Sequence, residues 1–130
     1  FFNIIDLSSK FKVKHFIYAS TSSVYGEQNK FPLKEDFNTD KPISFYAASK
    51  KTNEVIAYSY SYIHRLRTTG LRLFTVYGPF GRPDMALFKF TKNIILKKEI
   101  VLYNYGNLFR DFTYIDDVVD GIIKVIKIHI

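Results

Sequence analysis

Short apolar runs alternate along this chain with a segment of helical apolar period, and that alternation restricts the fold more than any other feature. Val13 to Ser20, read Val-Lys-His-Phe-Ile-Tyr-Ala-Ser, is short and mostly apolar, as a strand buried on both faces must be. From about Phe45 to Leu66 the period changes: Val55, Ile56, Ser59, Tyr62, Ile63 and Leu66 fall on one stripe at helical spacing. Gly70 closes that segment, and Leu71 to Tyr77 reads as a second buried strand ended by Gly78-Pro79. Strands alternating with helices predict an α/β fold built on a parallel sheet.

The remaining elements follow the same logic. The apolar opening, Phe1 to Leu7, predicts a helix without a cap. A polar loop carrying Pro32 and Pro42 runs to about Ser44. Pro83-Asp84 suits the first turn of a helix reaching about Lys98. A shorter strand is expected from Ile100 to Tyr103, and Asp116 is placed to cap a last helix. That helix should bury Val119, Ile122, Ile123 and Ile126. Both ends read as cut: Phe1 starts inside an apolar segment, and Ile126-Lys127-Ile128-His129-Ile130 stops without a terminator.

Composition excludes several functions. There is no cysteine, so disulfides and thiolate metal sites are ruled out. His15, His64 and His129 lie too far apart in sequence for a compact metal motif. The formal charge of +7 raises nucleic acid as a partner, but the lysines are scattered and no nucleic-acid signature accompanies them. No nucleic-acid partner is therefore expected. No run is long and apolar enough for a membrane span, so no membrane partner is expected either and the expected location is cytoplasmic.

The residues that carry chemistry are Tyr46 and Lys50, in Tyr46-Ala47-Ala48-Ser49-Lys50. Four apart on a helix, they share a face. An ammonium beside a phenol stabilises the phenolate, which would make Tyr46 a proton acceptor worth roughly a hundred- to ten-thousand-fold in rate. The plainer account is that Tyr46 packs and Lys50 is a surface charge. Thr21 stands at the tip of the first expected strand, and ligands in parallel sheets bind beyond the strands' carboxyl ends. Its hydroxyl can bridge a substrate hydroxyl to the tyrosine, or Thr21, Ser22 and Ser23 can simply satisfy turn backbone.

Tyr18-Ala19-Ser20-Thr21-Ser22-Ser23-Val24-Tyr25-Gly26 resembles the signature loop of NAD-dependent nucleotide-sugar epimerases, members of the extended short-chain dehydrogenase/reductase family. The interval from Thr21 to Tyr46 is similar to that of UDP-galactose 4-epimerases. The stretches Phe74 to Ala86 and Arg110 to Asp117 more closely resemble UDP-glucuronate 4-epimerases, and the similarity extends through essentially the whole chain. The resemblance implies a partial Rossmann-like, doubly wound parallel sheet followed by part of a substrate-binding region. It divides the chain into the C-terminal half of an NAD-binding domain, 1–82, and part of the nucleotide-sugar-binding region, 83–130.

The resemblance also implies roles. Thr21, Tyr46 and Lys50 are catalytic, and NAD is held by Ala19, Ser20, Tyr46, Lys50, Phe74 and Val76. A UDP-sugar is held by Ser22, Ser23, Thr75, Arg82, Met85, Tyr103 and Arg110. Arg82 is a possible fork for a hexuronate carboxylate, or else it pairs with Asp84 or faces solvent. Tyr103 stands where the family stacks uracil, and as a strand residue it could equally be core. Arg110 is placed for the diphosphate or for a pair with Asp111. Met85 lines the nucleotide pocket or its helix's buried face.

The family's Gly-rich dinucleotide fingerprint does not occur in these residues. Gly78-Pro79-Phe80-Gly81 is a partial lookalike whose proline suits a loop better than a phosphate-binding helix start. The isolated piece is accordingly expected to be inactive. Related 4,6-dehydratases and UDP-glucuronate decarboxylases carry acidic residues in the signature loop. Ser22 and Ser23 occupy those positions here and cannot supply that acid/base function, so epimerisation at carbon 4 is favoured. UDP-glucuronate is the expected substrate. UDP-glucose or a UDP-N-acetylhexosamine is the alternative sugar, and a non-catalytic RNA- or protein-binding module is the alternative class. The family commonly pairs two helices per subunit into a four-helix interface, so a homodimer is expected. The Val55–Leu66 stripe can serve there or pack on the sheet.

Overall fold

The computed structural model describes residues 1–128; His129 and Ile130 lie outside the described residues. The chain forms two units, Phe1–Leu73 and Phe74–Ile130. Each contains one parallel strand pair and a helix between its strands, and parallel strands need such a crossover. The α/β class expected from the sequence is observed.

In the first unit, α1 spans Phe2–Lys10 and, as expected, has no side-chain cap. Strand β1, Phe16–Ala19, pairs in parallel with β2, Thr68–Leu71, with Tyr18 opposite Gly70. Between them lies α2, Phe45–His64. Ser44 starts α2, its hydroxyl accepting from the Ala47 N–H at 3.1 Å. Arg65 ends it in the left-handed conformation at φ 56°. The core is Ile5, Ala57 and Leu66, with Phe16, Tyr18, Ile56 and Tyr60 packed around it. Gly70 is required by this packing, because a Cβ there would stand 2.6–2.7 Å from the Tyr18 hydroxyl and ring. Of the apolar stripe, Leu66 is buried while Val55, Tyr62 and Ile63 face outward. The helix therefore packs through Ile56, Ala57 and Tyr60, and Ala47 is buried as well.

In the second unit, β3, Thr75–Tyr77, pairs in parallel with β4, Phe112–Tyr114, around α3, Ala86–Ile95. Helix α4, Ile115–Lys127, follows directly. Gly78 has φ 146°, and a Cβ there would run into Ile115 and Tyr114 at the start of α4.

Five expectations need correction. The run Leu71 to Tyr77 is not one strand: β2 ends at Leu71 and β3 begins at Thr75, in different sheets. The Leu73 N–H donates to the Leu71 carbonyl at 3.0 Å, a local turn that breaks the ladder. No strand forms from Ile100 to Tyr103 among the described residues. Val101 and Tyr103 are exposed, and a 3₁₀ turn covers Tyr103–Gly106 with Asn104 and Tyr105 left-handed. Pro83 and Asp84 precede α3 rather than open it, because the Asp84 carboxylate is taken up by Arg82. Asp116 does not cap α4. The cap position is Tyr114, and Asp116 lies with Asp117 in the first turn, where acidic charge meets the helix's positive end. The better-covered face of α4 is Ile115, Val118, Ile122 and Val125, while Val119, Ile123 and Ile126 are exposed.

Candidate active site

The site begins at the carboxyl end of β1. Its last carbonyl, that of Ala19, accepts a hydrogen bond from Lys50 Nζ at 3.0 Å. The next N–H, of Ser20, donates to the Leu71 carbonyl at 2.8 Å and continues the pairing with β2. Thr21 is buried and extended, at φ −156°, and caps a 3₁₀ turn over Ser22–Tyr25. Its Oγ1 accepts from the Ser23 N–H at 3.2 Å and donates to Ser23 Oγ at 3.3 Å. The hydroxyl thus satisfies turn backbone, as one of the two readings held. Ser22 donates its N–H to the Leu73 carbonyl at 3.0 Å.

Tyr46 lies in the first turn of α2 and is 54% exposed, so its phenol is open to a ligand rather than packed away. Lys50 follows one turn later with Nζ 5.8 Å from the Tyr46 ring centroid. The Tyr46–Lys50 face expected from the spacing is therefore present, and Lys50 reaches the end of β1. Lys50 is no loose surface charge. One of its three N–H donors goes to Ala19, which leaves two for a ligand.

Behind this face stands an ion pair not anticipated from the sequence. Glu54, one turn beyond Lys50, receives Arg72 Nε on Oε1 and Arg72 Nη2 on Oε2, both at 2.9 Å. Ser20 Oγ also donates to Glu54 Oε1, at 2.6 Å. Arg72 donates from Nη1 to the Glu35 carbonyl at 3.0 Å and lies 4.9 Å from the Tyr25 ring centroid. Burial raises the Glu54 proton affinity, but the hydrogen bonds from Arg72 and Ser20 outweigh it and hold the carboxyl below its usual range. The hydrogen bonds to Glu54 raise Arg72 against its own burial. Burial, together with the Glu54 charge, pushes the Tyr18 phenol up to about 12. The available sequence signal was that Glu54 continues the four-residue spacing of Tyr46 and Lys50.

The second unit holds a cavity of about 640 Å³, a size usual for small-molecule sites. Of the expected residues, Thr75, Val76, Arg82, Met85 and Arg110 line it. Phe88, Thr91 and Lys92 also line it and were not anticipated. Arg82 forms an ion pair with Asp84 through two hydrogen bonds, its Nε to Oδ1 at 3.0 Å. That contact holds the Asp84 carboxyl below its usual range. Arg110 donates to the Phe109 carbonyl at 2.9 Å. Tyr103, 76% exposed on its 3₁₀ turn, and Phe74 are not in the cavity wall. Gly78 and Gly81 form a turn, the Gly81 N–H donating to the Gly78 carbonyl at 3.2 Å, and α3 does not start there. The lookalike is a loop, as its proline suggested.

Among the described residues no cluster of His, Asp or Glu is arranged to hold a metal, and no helix is long and apolar enough to cross a membrane.

Comparison with known proteins gives concordant findings. The model of the NAD dependent epimerase/dehydratase family matches residues 1–129. A probable UDP-glucuronate 4-epimerase of Rhizobium meliloti is 47% identical over 123 residues, 95% of this chain and 36% of that protein. UDP-glucuronate 4-epimerase 4 of Arabidopsis thaliana is 56% identical over 108 residues, 81% of this chain and 25% of that one. The crystal structure of a UDP-glucuronic acid 4-epimerase from Bacillus cereus, in complex with UDP-glucuronic acid and NAD, superposes with a TM-score of 0.89 at 36% identity. That match covers 95% of this chain and 38% of the other. The chain thus spans well under half the length of these relatives.

Proposed function

The chain belongs to the NAD dependent epimerase/dehydratase family, and from that premise we propose that its protein interconverts UDP-glucuronate and UDP-galacturonate by epimerisation at carbon 4. The observation that carries this reading is that Lys50 is held at the end of β1, where Thr21 follows, and lies beside the Tyr46 ring. Similarity to UDP-glucuronate 4-epimerases along nearly the whole chain supports the choice of sugar.

The residues at the strand end suit the nicotinamide portion of NAD: Lys50 has N–H donors for a ribose diol, and Ala19, Ser20 and Tyr46 border the same region. Phe74 and Val76 are assigned to NAD by family position. The chemistry NAD supplies when bound is reversible hydride storage, so the sugar passes through a transient 4-keto form without net oxidation. Tyr46 takes the proton of the 4-hydroxyl, directly or through Thr21, and returns it when the ring is reduced. Lys50 stabilises the phenolate in between. Ser22 and Ser23 contact the sugar without offering a carboxylate, which favours epimerisation over loss of water. In the second unit Arg82 and Thr75 meet the hexuronate, Met85 and Tyr103 the nucleoside, and Arg110 the diphosphate. The working protein is a cytoplasmic homodimer. The 130-residue chain alone is inactive, with apolar side chains such as Val55, Tyr62, Val119 and Ile126 open to solvent.

The test is to incubate a chain of the relatives' full length, carrying these residues, with UDP-glucuronate and NAD and to separate the products. UDP-galacturonate formed without net NADH supports the assignment. A decarboxylated pentose, an accumulating keto sugar or no turnover overturns it.

A further inference from the structure

Helix α2 is tied to the end of β1 at two successive points. Lys50 donates to the Ala19 carbonyl at 3.0 Å, and one turn later Glu54 accepts from Ser20 Oγ at 2.6 Å. The second tie also reaches the far end of the same loop. Glu54 holds Arg72 through two hydrogen bonds, and the Arg72 guanidinium lies against the Tyr25 ring at 4.9 Å. The run from Ser20 to Tyr25, which contains Thr21, is therefore gripped at both ends by one ion pair. Both partners of that pair are largely shielded, with side chains 14% and 22% exposed. A carboxylate–guanidinium fork fixes direction as well as distance, which a single ammonium contact does not.

We propose that Glu54 and Arg72 are positioning residues for the reaction assigned above, setting where the Thr21 hydroxyl stands relative to Tyr46. The inference rests on that assignment. Neither residue meets the sugar; each acts through the loop. A displacement of about 1 Å in a reacting group can cost on the order of a hundredfold in rate, so loss of this grip should appear in kcat. The Ser20 hydroxyl is the link, and Glu54 without it would still pair with Arg72.

The experiment is a double-mutant cycle in a chain of the relatives' full length, with Ser20→Ala, Glu54→Gln, both together, and Tyr46→Phe as reference. Turnover is read well below each variant's melting temperature. Expected is a kcat loss of about tenfold to a hundredfold for Ser20→Ala and for Glu54→Gln, with KM within about twofold. The double variant should lose less than the product of the two single losses, because both changes weaken one link. Variants that melt lower but turn over at the parent rate would show a purely structural pair and overturn the inference. Additive losses in kcat would overturn it as well. If Glu54→Gln does not fold, Arg72→Lys takes its place, since it keeps a charge beside Glu54 but loses the fork that also reaches Tyr25; the parent kcat there overturns the inference. Tyr46→Phe separates the two failures. Full activity there removes the epimerase assignment, whereas a dead Tyr46→Phe beside undisturbed Ser20→Ala and Glu54→Gln removes only the positioning role.

Discussion

Lys50 reaches from the second turn of α2 to the carbonyl oxygen of Ala19, 3.0 Å away, and so fixes one ammonium between the end of a strand and the ring of Tyr46. The contact removes the freedom a lysine normally has at a half-exposed helix position. The charge stays near the phenol before any ligand arrives, so its effect on Tyr46 carries little ordering cost at the moment of reaction.

Replacing Lys50 by Met keeps the stem and removes the ammonium. In the full-length chain turnover of UDP-glucuronate should fall on the order of a hundredfold or more, and bound NAD should be retained less well through gel filtration. Lys50→Arg should recover only part of the loss, because a planar fork does not occupy the place of a point charge. Turnover of Lys50→Met within about threefold of the parent would mean that Tyr46 does not use the neighbouring charge.

Gly70→Ala tests the packing that sets the β1–β2 register. Its new Cβ would lie 2.6–2.7 Å from the Tyr18 hydroxyl and ring, so Tyr18 must move out of its stack with Phe16. Overpacking of this kind costs about 1–3 kcal/mol. Urea unfolding followed by tyrosine fluorescence should show a lower midpoint with an unchanged slope. An unchanged midpoint would show that Tyr18 can leave at no cost.

The Glu54–Arg72 pair should also appear in the acid stability of the protein. The folded carboxyl titrates below its ordinary value of 4.5, so the folded state binds this proton more weakly than the unfolded chain. Stability from the pair is therefore complete above pH 4.5 and is lost as pH falls through the depressed folded value. Melting temperatures of the parent and of Glu54→Gln should differ most near neutrality and converge as pH falls below 4.5 through the depressed folded value. A difference independent of pH would assign the effect of the variant to packing rather than to charge.

Much of the candidate face was legible because its elements are local. Tyr46 and Lys50 are one helical turn apart, the Ser44 cap lies just before them, and the small-residue loop follows an apolar strand. Glu54 and Arg72 were not legible as a pair, since they lie 18 residues apart and meet only because β2 returns beside α2. The run Leu71 to Tyr77 misled because a mostly apolar run marks strand character but not which ladder a residue joins. Helix α4 misled for a related reason. Ile115, Val118, Val119, Ile122, Ile123, Val125 and Ile126 form an apolar face wider than the part that is covered, so periodicity alone could not choose among them. At Ile100–Tyr103 the short apolar run has no strand beside it among the described residues. Propensity describes a pleated surface and needs a neighbouring strand to express it.

Arg82 offers the sharpest test of substrate choice, because Asp84 already occupies the guanidinium fork that the sugar carboxylate would need. Both side chains are well exposed, so the pair is weak and an incoming carboxylate can displace Asp84. Arg82→Ala should lower kcat/KM for UDP-glucuronate by roughly tenfold to a hundredfold while changing that for UDP-glucose by less than about threefold. Asp84→Asn removes the competitor and should lower KM for UDP-glucuronate alone. Initial rates on the two sugars, measured at two salt concentrations, check both outcomes, and the Asp84→Asn advantage should shrink as salt rises. Equal losses on the acidic and the neutral sugar in Arg82→Ala would remove the reason for assigning a hexuronate, leaving a 4-epimerase of neutral UDP-sugars.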